Sequence, residues 1–335
     1  MIDANHWKLR GPVRSMHSEI SEWDDDRTAW KQTRFFLFVA FDTAGRVTQM
    51  DQRGVNESIY RKTYAYDAGS RLLEEAGGTA GERHDYIRRW TYDDRGRVSS
   101  VIGTGADGAP TLQTDCSYDE TGRRVERTTF PSGKPYNGYG VEGSEFFYGA
   151  PGAVSRTTHY DEADRSILTE FHDAAGAVVQ RVSIMRDASG RVLLEEARGP
   201  GAWAMPRQPD MSDEDFAKMQ ALFESVWGST RTTYEYGPDG QLLARVQVTG
   251  RMGEDRHAYE YDANGNVAAE SGTRVTRDFN SDANGTPQPG IDATHFHKTR
   301  FSYIYDEYGN WTERIVSAFD TPSNVERRTI EYYER

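Results

Sequence analysis

One short motif returns along the chain: an aromatic residue, Asp, two variable residues, Gly, a polar residue, then usually an apolar one. It reads FDTAGRV from Phe41, YDDRGRV from Tyr92, YDETGRR from Tyr118, YDANGNV from Tyr261 and YDEYGNW from Tyr305. Near copies are YDAGSRL from Tyr66, with its Gly one place early, and YGPDGQL from Tyr236. Weaker copies start at Tyr148, Tyr160, His172 and Arg186. Internal repetition of this kind overrides any estimate of domain number from the 335-residue length.

The motif has the chemistry of a hairpin turn. Asp at its second position can accept a hydrogen bond from the backbone two residues on, and Gly three residues later enters the left-handed region without a Cβ penalty. The turn residues expected on this basis are Asp42 and Gly45, Asp67, Asp93 and Gly96, Asp119 and Gly122, Asp187 and Gly190, Asp262 and Gly265, and Asp306 and Gly309. Between the first four Asp residues the intervals are 25, 26 and 26, and over the weaker copies they fall to 12, 12 and 14. The short interval is half the long one, as in a meander where every second turn, and locally every turn, carries the motif. Upstream of the turns, Tyr64 and Tyr66, Trp90 and Tyr92, Tyr259 and Tyr261, and Tyr303 and Tyr305 alternate, so the rings share one strand face and are expected to form a cross-strand aromatic ladder.

These motifs resemble the RHS or YD-repeat family, named for the Tyr-Asp pair that is followed by Gly-Arg and an apolar residue. The likeness runs from about Phe35 to Tyr333 with interruptions. It implies large curved antiparallel sheets, which in long members wrap into a shell around a toxic C-terminal domain. This chain has no Asp-Pro dipeptide, so it lacks the self-cleavage motif of such shells, and it is expected to carry no toxin domain after its last repeat.

The expected fold is therefore all-β: a curled antiparallel sheet of YD-repeat hairpins, as a spiral, a split sandwich or a wide barrel, with one inserted α-helix. About twenty strands follow from the turn count, more than an open twisted sheet holds without curling or splitting. The chain reads as a single YD-repeat domain over 1–335, with an N-terminal cap or degenerate hairpin at 1–34, a helical insertion at 205–228 and a loop insertion at 276–298. In the helical insertion, Met211 to Trp227 has Ser212 as N-cap, acids in its first turn and apolar residues at helical spacing. Only 11 leucines argue against a mostly helical chain, and 40 aromatic rings supply an alternative core.

Charge and cysteine content exclude several functions. With 40 basic against 53 acidic residues, the net charge of −13 lacks the basic footprint of a nucleic-acid binder. The one cysteine, Cys116, permits no intramolecular disulfide and reads as a small buried side chain. No signal-peptide core and no apolar run of membrane-spanning length appears, so a cytoplasmic location without membrane contact is expected, with export by a specialised secretion system left open.

Catalytic chemistry is not visible. Gly103, Gly105 and Gly108 spell GxGxxG but lead into Ala109 and Pro110, not into a helix, and read as a hairpin loop. Asp282, Asn284, Thr286 and Asp292 have the wrong glycine position for a calcium loop and read as an ordinary loop. His295 and His297 project the same way on a strand, but with no third ligand in view they read as a surface pair. Neither catalytic residues, metal site nor cofactor is expected. The leading expectation is a non-catalytic binding or scaffold protein that recognises a protein or a carbohydrate. Two alternatives stand beside it: an accessory or immunity-like partner in a bacterial toxin-delivery system, its acidic balance suited to a basic toxin, and an enzyme with a site inside the curled sheet.

Overall fold

The computed structural model describes residues 7–24, 29–53, 58–130, 139–140, 147–148, 153–199, 211–212, 214–215, 218, 228–250, 253–276, 279–281, 287–289 and 293–334. The strands in chain order are β1 (Val13–Asp24), β2 (Ala29–Phe41), β3 (Val47–Arg53), β4 (Ile59–Tyr66), β5 (Leu72–Thr79), β6 (Tyr86–Tyr92), β7 (Val98–Gly105) and β8 (Pro110–Tyr118). They continue as β9 (Arg124–Thr129), β10 (Tyr139–Gly140), β11 (Phe147–Tyr148), β12 (Ser155–Tyr160), β13 (Ser166–His172), β14 (Val178–Arg186), β15 (Val192–Arg198) and β16 (Ser229–Tyr236). The last are β17 (Leu242–Thr249), β18 (Gly253–Tyr261), β19 (Val267–Thr276), β20 (Phe279–Ser281), β21 (Pro287–Pro289), β22 (Ala293–Tyr305), β23 (Trp311–Ala318) and β24 (Thr321–Tyr332). The protein is all-β, and its main sheet has twenty strands, in line with the turn count. The helix expected at Met211 to Trp227 lies mostly outside the described residues. Within them Glu214, Asp215 and Lys218 are helical, and Ser212 Oγ accepts the Asp215 N–H at 3.1 Å, the N-cap contact that its position implies.

The chain divides into two compact units, Met1–Thr111 with Tyr261–Ala269 and Lys298–Arg335, and Leu112–Glu260 with Glu270–His297. In the first, neighbours follow chain order from β2 to β7, and β22, β23 and β24 pair in turn. In the N-terminal segment β1 pairs antiparallel with β2 and on its other side with the C-terminal β24, so the N- and C-terminal strands share a ladder. The core here gathers Leu9, Val13, Met16, Val39, Phe41 and Val47. In the second unit, β8 pairs with β9, β9 with β12, and β12 through β18 follow chain order. Its core is built on Ala153, Phe171, Val182, Ile184 and Ala197.

Five of the repeat turns share one build. The motif's first residue pairs with its seventh, as in Phe41 with Val47, Tyr66 with Leu72, Tyr92 with Val98, Tyr236 with Leu242 and Tyr305 with Trp311. Five residues lie between, and the ladder shifts register right behind the aromatic. This β-bulge sharpens the local twist that a long meander needs to curl. Gly45, Gly96, Gly122, Gly190, Gly265 and Gly309 all have positive φ, as their position implies. In the copy from Tyr66 the residue at positive φ is Ser70, not Gly69, and in the copy from Tyr160 it is Asp164. Position within the turn, not glycine itself, sets the conformation. The GxGxxG segment is a hairpin of the same kind: Gly105 N–H donates to Ala109 O, and Gly108 has φ of 82°.

Candidate functional site

The repeat turns account for the recurrent carboxylates. In the first turn, Asp42 Oδ1 accepts the backbone N–H groups of Ala44 and Arg46 at 2.9 and 3.0 Å, while Oδ2 takes Arg46 Nε at 2.7 Å. The Arg clasp recurs at Asp67 with Arg71, Asp93 with Arg97, Asp119 with Arg123, Asp161 with Arg165 and Asp187 with Arg191. Burial would raise the Asp42 carboxyl, but these hydrogen bonds and the Arg46 charge hold it below the ordinary carboxylate range. At Asp93 the backbone and side-chain hydrogen bonds of Arg97 have the same effect. A carboxylate held ionised and fully bonded is a poor general acid.

Three of these arginines also grip the next marked strand. Arg46 lies over the Tyr66 ring at 4.8 Å, Arg71 over Tyr92 at 4.7 Å and Arg191 over Tyr236 at 5.0 Å. Tyr66 O–H donates to Val47 O, and Tyr92 O–H to Leu72 O, each reaching the apolar residue of the preceding turn. The expected aromatic ladder is thereby corrected for these turns. Successive marked strands such as β4 and β6 have β5 between them, so the rings cannot meet, and a guanidinium fills the interval. In two turns Asn replaces Arg: Asn266 Nδ2 donates to Tyr305 O–H, and Asn310 Nδ2 to Tyr332 O–H, while both hydroxyls donate to the turn carboxylates, Asp262 and Asp306.

Cys116 on β8 faces Glu126 on β9. Burial and the Glu126 charge push its thiol up to about 12, so it stays protonated and is no nucleophile.

Two other places have the makings of a site. The first is a cleft of about 730 Å³ in the first unit. Strand register sets its floor in a row: Arg61, Asp51, Phe38, His17 and Thr329, from β4 across β3, β2 and β1 to β24. A second row runs Gln49, Ala40, Ser15 and Glu331. Phe36 and Phe41 of β2, and Tyr333 just beyond β24, add rings to its wall. Asp51, only 7% exposed, is clamped by Arg61 through Nε at 2.8 Å and Nη2 at 2.6 Å, and Ser15 Oγ donates to Glu331 at 2.9 Å.

The second place lies in the second unit. Candidate ligand atoms of His257 (β18), Glu270 (β19) and His297 (β22) all fall within 4.8 Å of one another. His257 Nδ1 meets Glu270 Oε1 at 2.5 Å, and its Nε2 is 3.1 Å from Asp255 Oδ1 without forming a hydrogen bond. The Arg274 guanidinium holds Asp255 Oδ2 at 2.7 Å. Of the expected histidine pair, His297 joins this group, whereas His295 is exposed. Sequence reading missed His257, Glu270 and Asp255. The available signal was the in-strand alternation of Asp255 and His257, two residues apart like His295 and His297.

No family model matches the chain, and no curated protein does. Among solved structures, a porin-like protein from Bacteroides uniformis is similar with a TM-score of 0.32 at 11% identity, covering 96% of this chain and 98% of that one. The TcdB2-TccC3 structure gives 0.24 at 12% identity over 87% of this chain, which spans only 20% of that one. A putative outer membrane lipoprotein-sorting protein domain from Vibrio parahaemolyticus gives 0.17 at 10% identity, with coverage of 63% and 92%. None of these likenesses reaches a TM-score of 0.5, and none carries a functional argument here.

The cytoplasmic expectation is corrected. It rested on the lack of a signal-peptide core and of an apolar run of membrane-spanning length. Among the described residues no helix is long and apolar enough to cross a membrane, which says nothing of strands. The all-β fold belongs to the class that such a criterion cannot judge, so the cytoplasmic expectation does not stand.

Proposed function

We propose that this chain is a non-catalytic binding protein of the RHS/YD-repeat kind and that the cleft in its first unit takes a carbohydrate. Membership of that family is part of the proposal, supported by the recurrence of turn, bulge and clasp. The observation that carries the ligand class is the floor of the cleft, where Phe38 and His17 lie between the Asp51–Arg61 pair and Thr329. Rings present flat apolar faces to the C–H groups of a sugar, and planar polar groups beside them exchange hydrogen bonds with its hydroxyls. A cleft of about 730 Å³ lies in the range that encloses small ligands. Protein partners ask instead for a contact of about 800 Å² on each side. The polar groups are paired to one another before any ligand arrives, which pre-organises them and lowers the entropic cost of binding.

The test is saturation-transfer NMR of the whole chain against a panel of oligosaccharides, repeated with Phe38→Ala. Transfer to sugar protons that disappears in the variant supports the reading. Absence of transfer across the panel, with a single salt-sensitive protein captured instead, would replace it by the toxin-partner alternative. Turnover of any glycan would replace it by the enzyme alternative.

A further inference from the structure

We infer that His257, His297 and Asp255 form a binding site for a divalent transition metal of the zinc class, with Glu270 and Arg274 as the groups that orient them. The inference is independent of the carbohydrate reading and concerns the other unit.

Three buried polar atoms in one place have no hydrogen-bond partner: His257 Nε2, His297 Nε2 and Asp255 Oδ1. Leaving such atoms unpaired is costly, and native proteins rarely gather three of them. What each neighbour does is consistent with a ligand set. His257 donates its Nδ1–H to Glu270, which leaves the Nε2 lone pair free and fixes the ring, the arrangement found behind most metal-bound imidazoles. Arg274 occupies Asp255 Oδ2 and leaves Oδ1 free for one-oxygen ligation. Oδ1 and His257 Nε2 are 3.1 Å apart, close to the roughly 3.3 Å between ligand atoms that tetrahedral bonds of about 2.0–2.2 Å produce.

The second imidazole is brought in by backbone design. His257 and His297 have ring centroids 4.8 Å apart and planes tilted by 52°. On β19, Gly272 makes the room: a Cβ there would lie 2.3 Å from His297 Cε1 and 2.3 Å from the Arg256 carbonyl oxygen. Glycine in mid-strand weakens a sheet, and one common reason for it is the close approach of another group. Imidazole with carboxylate suits zinc, with nickel and copper as chemical neighbours, and does not suit calcium or magnesium, which prefer all-oxygen shells.

The experiment titrates zinc into the full chain after chelator treatment, by calorimetry, with cobalt as a spectroscopic substitute. The expected result is one zinc per chain, visible d–d absorption of tetrahedral cobalt, and a melting temperature that zinc raises. His257→Ala, His297→Ala and Asp255→Asn should abolish the one-to-one binding. Glu270→Gln should weaken it about 10–100-fold, and His295→Ala, two residues away, should leave it unchanged. The site is overturned if the wild type neither binds zinc nor shifts its melting with it, a result that needs no variant to fold. Binding unmoved by either histidine substitution also overturns it. Loss with Glu270→Gln but not with Asp255→Asn would overturn the ligand assignment.

Discussion

The repeat turns and the His257 cluster are both made of charged side chains on a β-scaffold, yet they treat those charges in opposite ways. In the turn at Asp42 both carboxylate oxygens are engaged within five residues of sequence, by Ala44 and Arg46. In the cluster, residues 42 positions apart converge and leave three buried polar atoms unpartnered. The difference separates side chains that build the sheet from side chains free to bind something. It also separates what a sequence shows from what it hides, because local pairing leaves a motif and cross-strand convergence does not.

The contrast can be broken first at the cluster. Its substitutions should act on binding more than on folding: without metal, Asp255→Asn should change stability by no more than about 1 kcal/mol, the worth of the partly exposed ion pair with Arg274. A large loss in metal-free chemical denaturation would mean that the cluster is structural after all. Turn substitutions should do the reverse, lowering stability and leaving zinc affinity alone.

Among them the largest effect belongs to Asn310. It is 3% exposed, donates to Arg10 O and Tyr332 O–H, and accepts the Arg10 N–H. Asn310→Ala should cost about 1–3 kcal/mol, the range for stranding a buried polar partner. Gly96→Val follows at about 1–2 kcal/mol, because Gly96 has φ of 76° and a β-branched residue is strained there. Arg46→Ala should cost about 1 kcal/mol, from a partly exposed ion pair and one cation–π contact. Equal losses at Asn310 and Arg46 would show that the Asn and Arg clasps are interchangeable.

Acid sharpens the comparison most gently. The turn residues Asp42, Asp67, Asp93, Asp119, Asp161, Asp187 and Asp262 have lowered pKa values in the folded chain. A lowered carboxyl contributes stability that is full above its unfolded value near 3.9 and is lost as pH falls through the folded value. Urea midpoints should therefore fall below about pH 4. A midpoint that holds constant down to pH 2 would remove the clasps from the stability account.

Much of the fold was legible because each turn encodes itself. Asp at the second motif position and a left-handed residue three places on were both readable. The partner of the Asp was also on the page, since Arg46, Arg71, Arg97, Arg123, Arg165 and Arg191 occupy the same sixth place. Its role was missed because a guanidinium gripping a ring two strands away is not a local relation. In the copy from Tyr66, where the Gly comes one place early, Ser70 takes the positive φ that the position demands. Less of the candidate sites was legible. The cleft row from Arg61 to Thr329 joins residues from five strands, and the cluster depends on Gly272, a glycine whose purpose appears only when His297 stands against it.

The central claim is that the turn arginines Arg46, Arg71 and Arg191 grip the tyrosine of the next marked strand, and a double-mutant cycle between Arg46 and Tyr66 tests it most directly. Arg46→Ala, Tyr66→Leu and the double variant, compared in urea unfolding, should show a coupling of about 0.5–1 kcal/mol, as a cation–π contact near the surface provides. Additive single effects, with coupling indistinguishable from zero, would contradict the clasp and return the repeat to a row of independent hairpin turns.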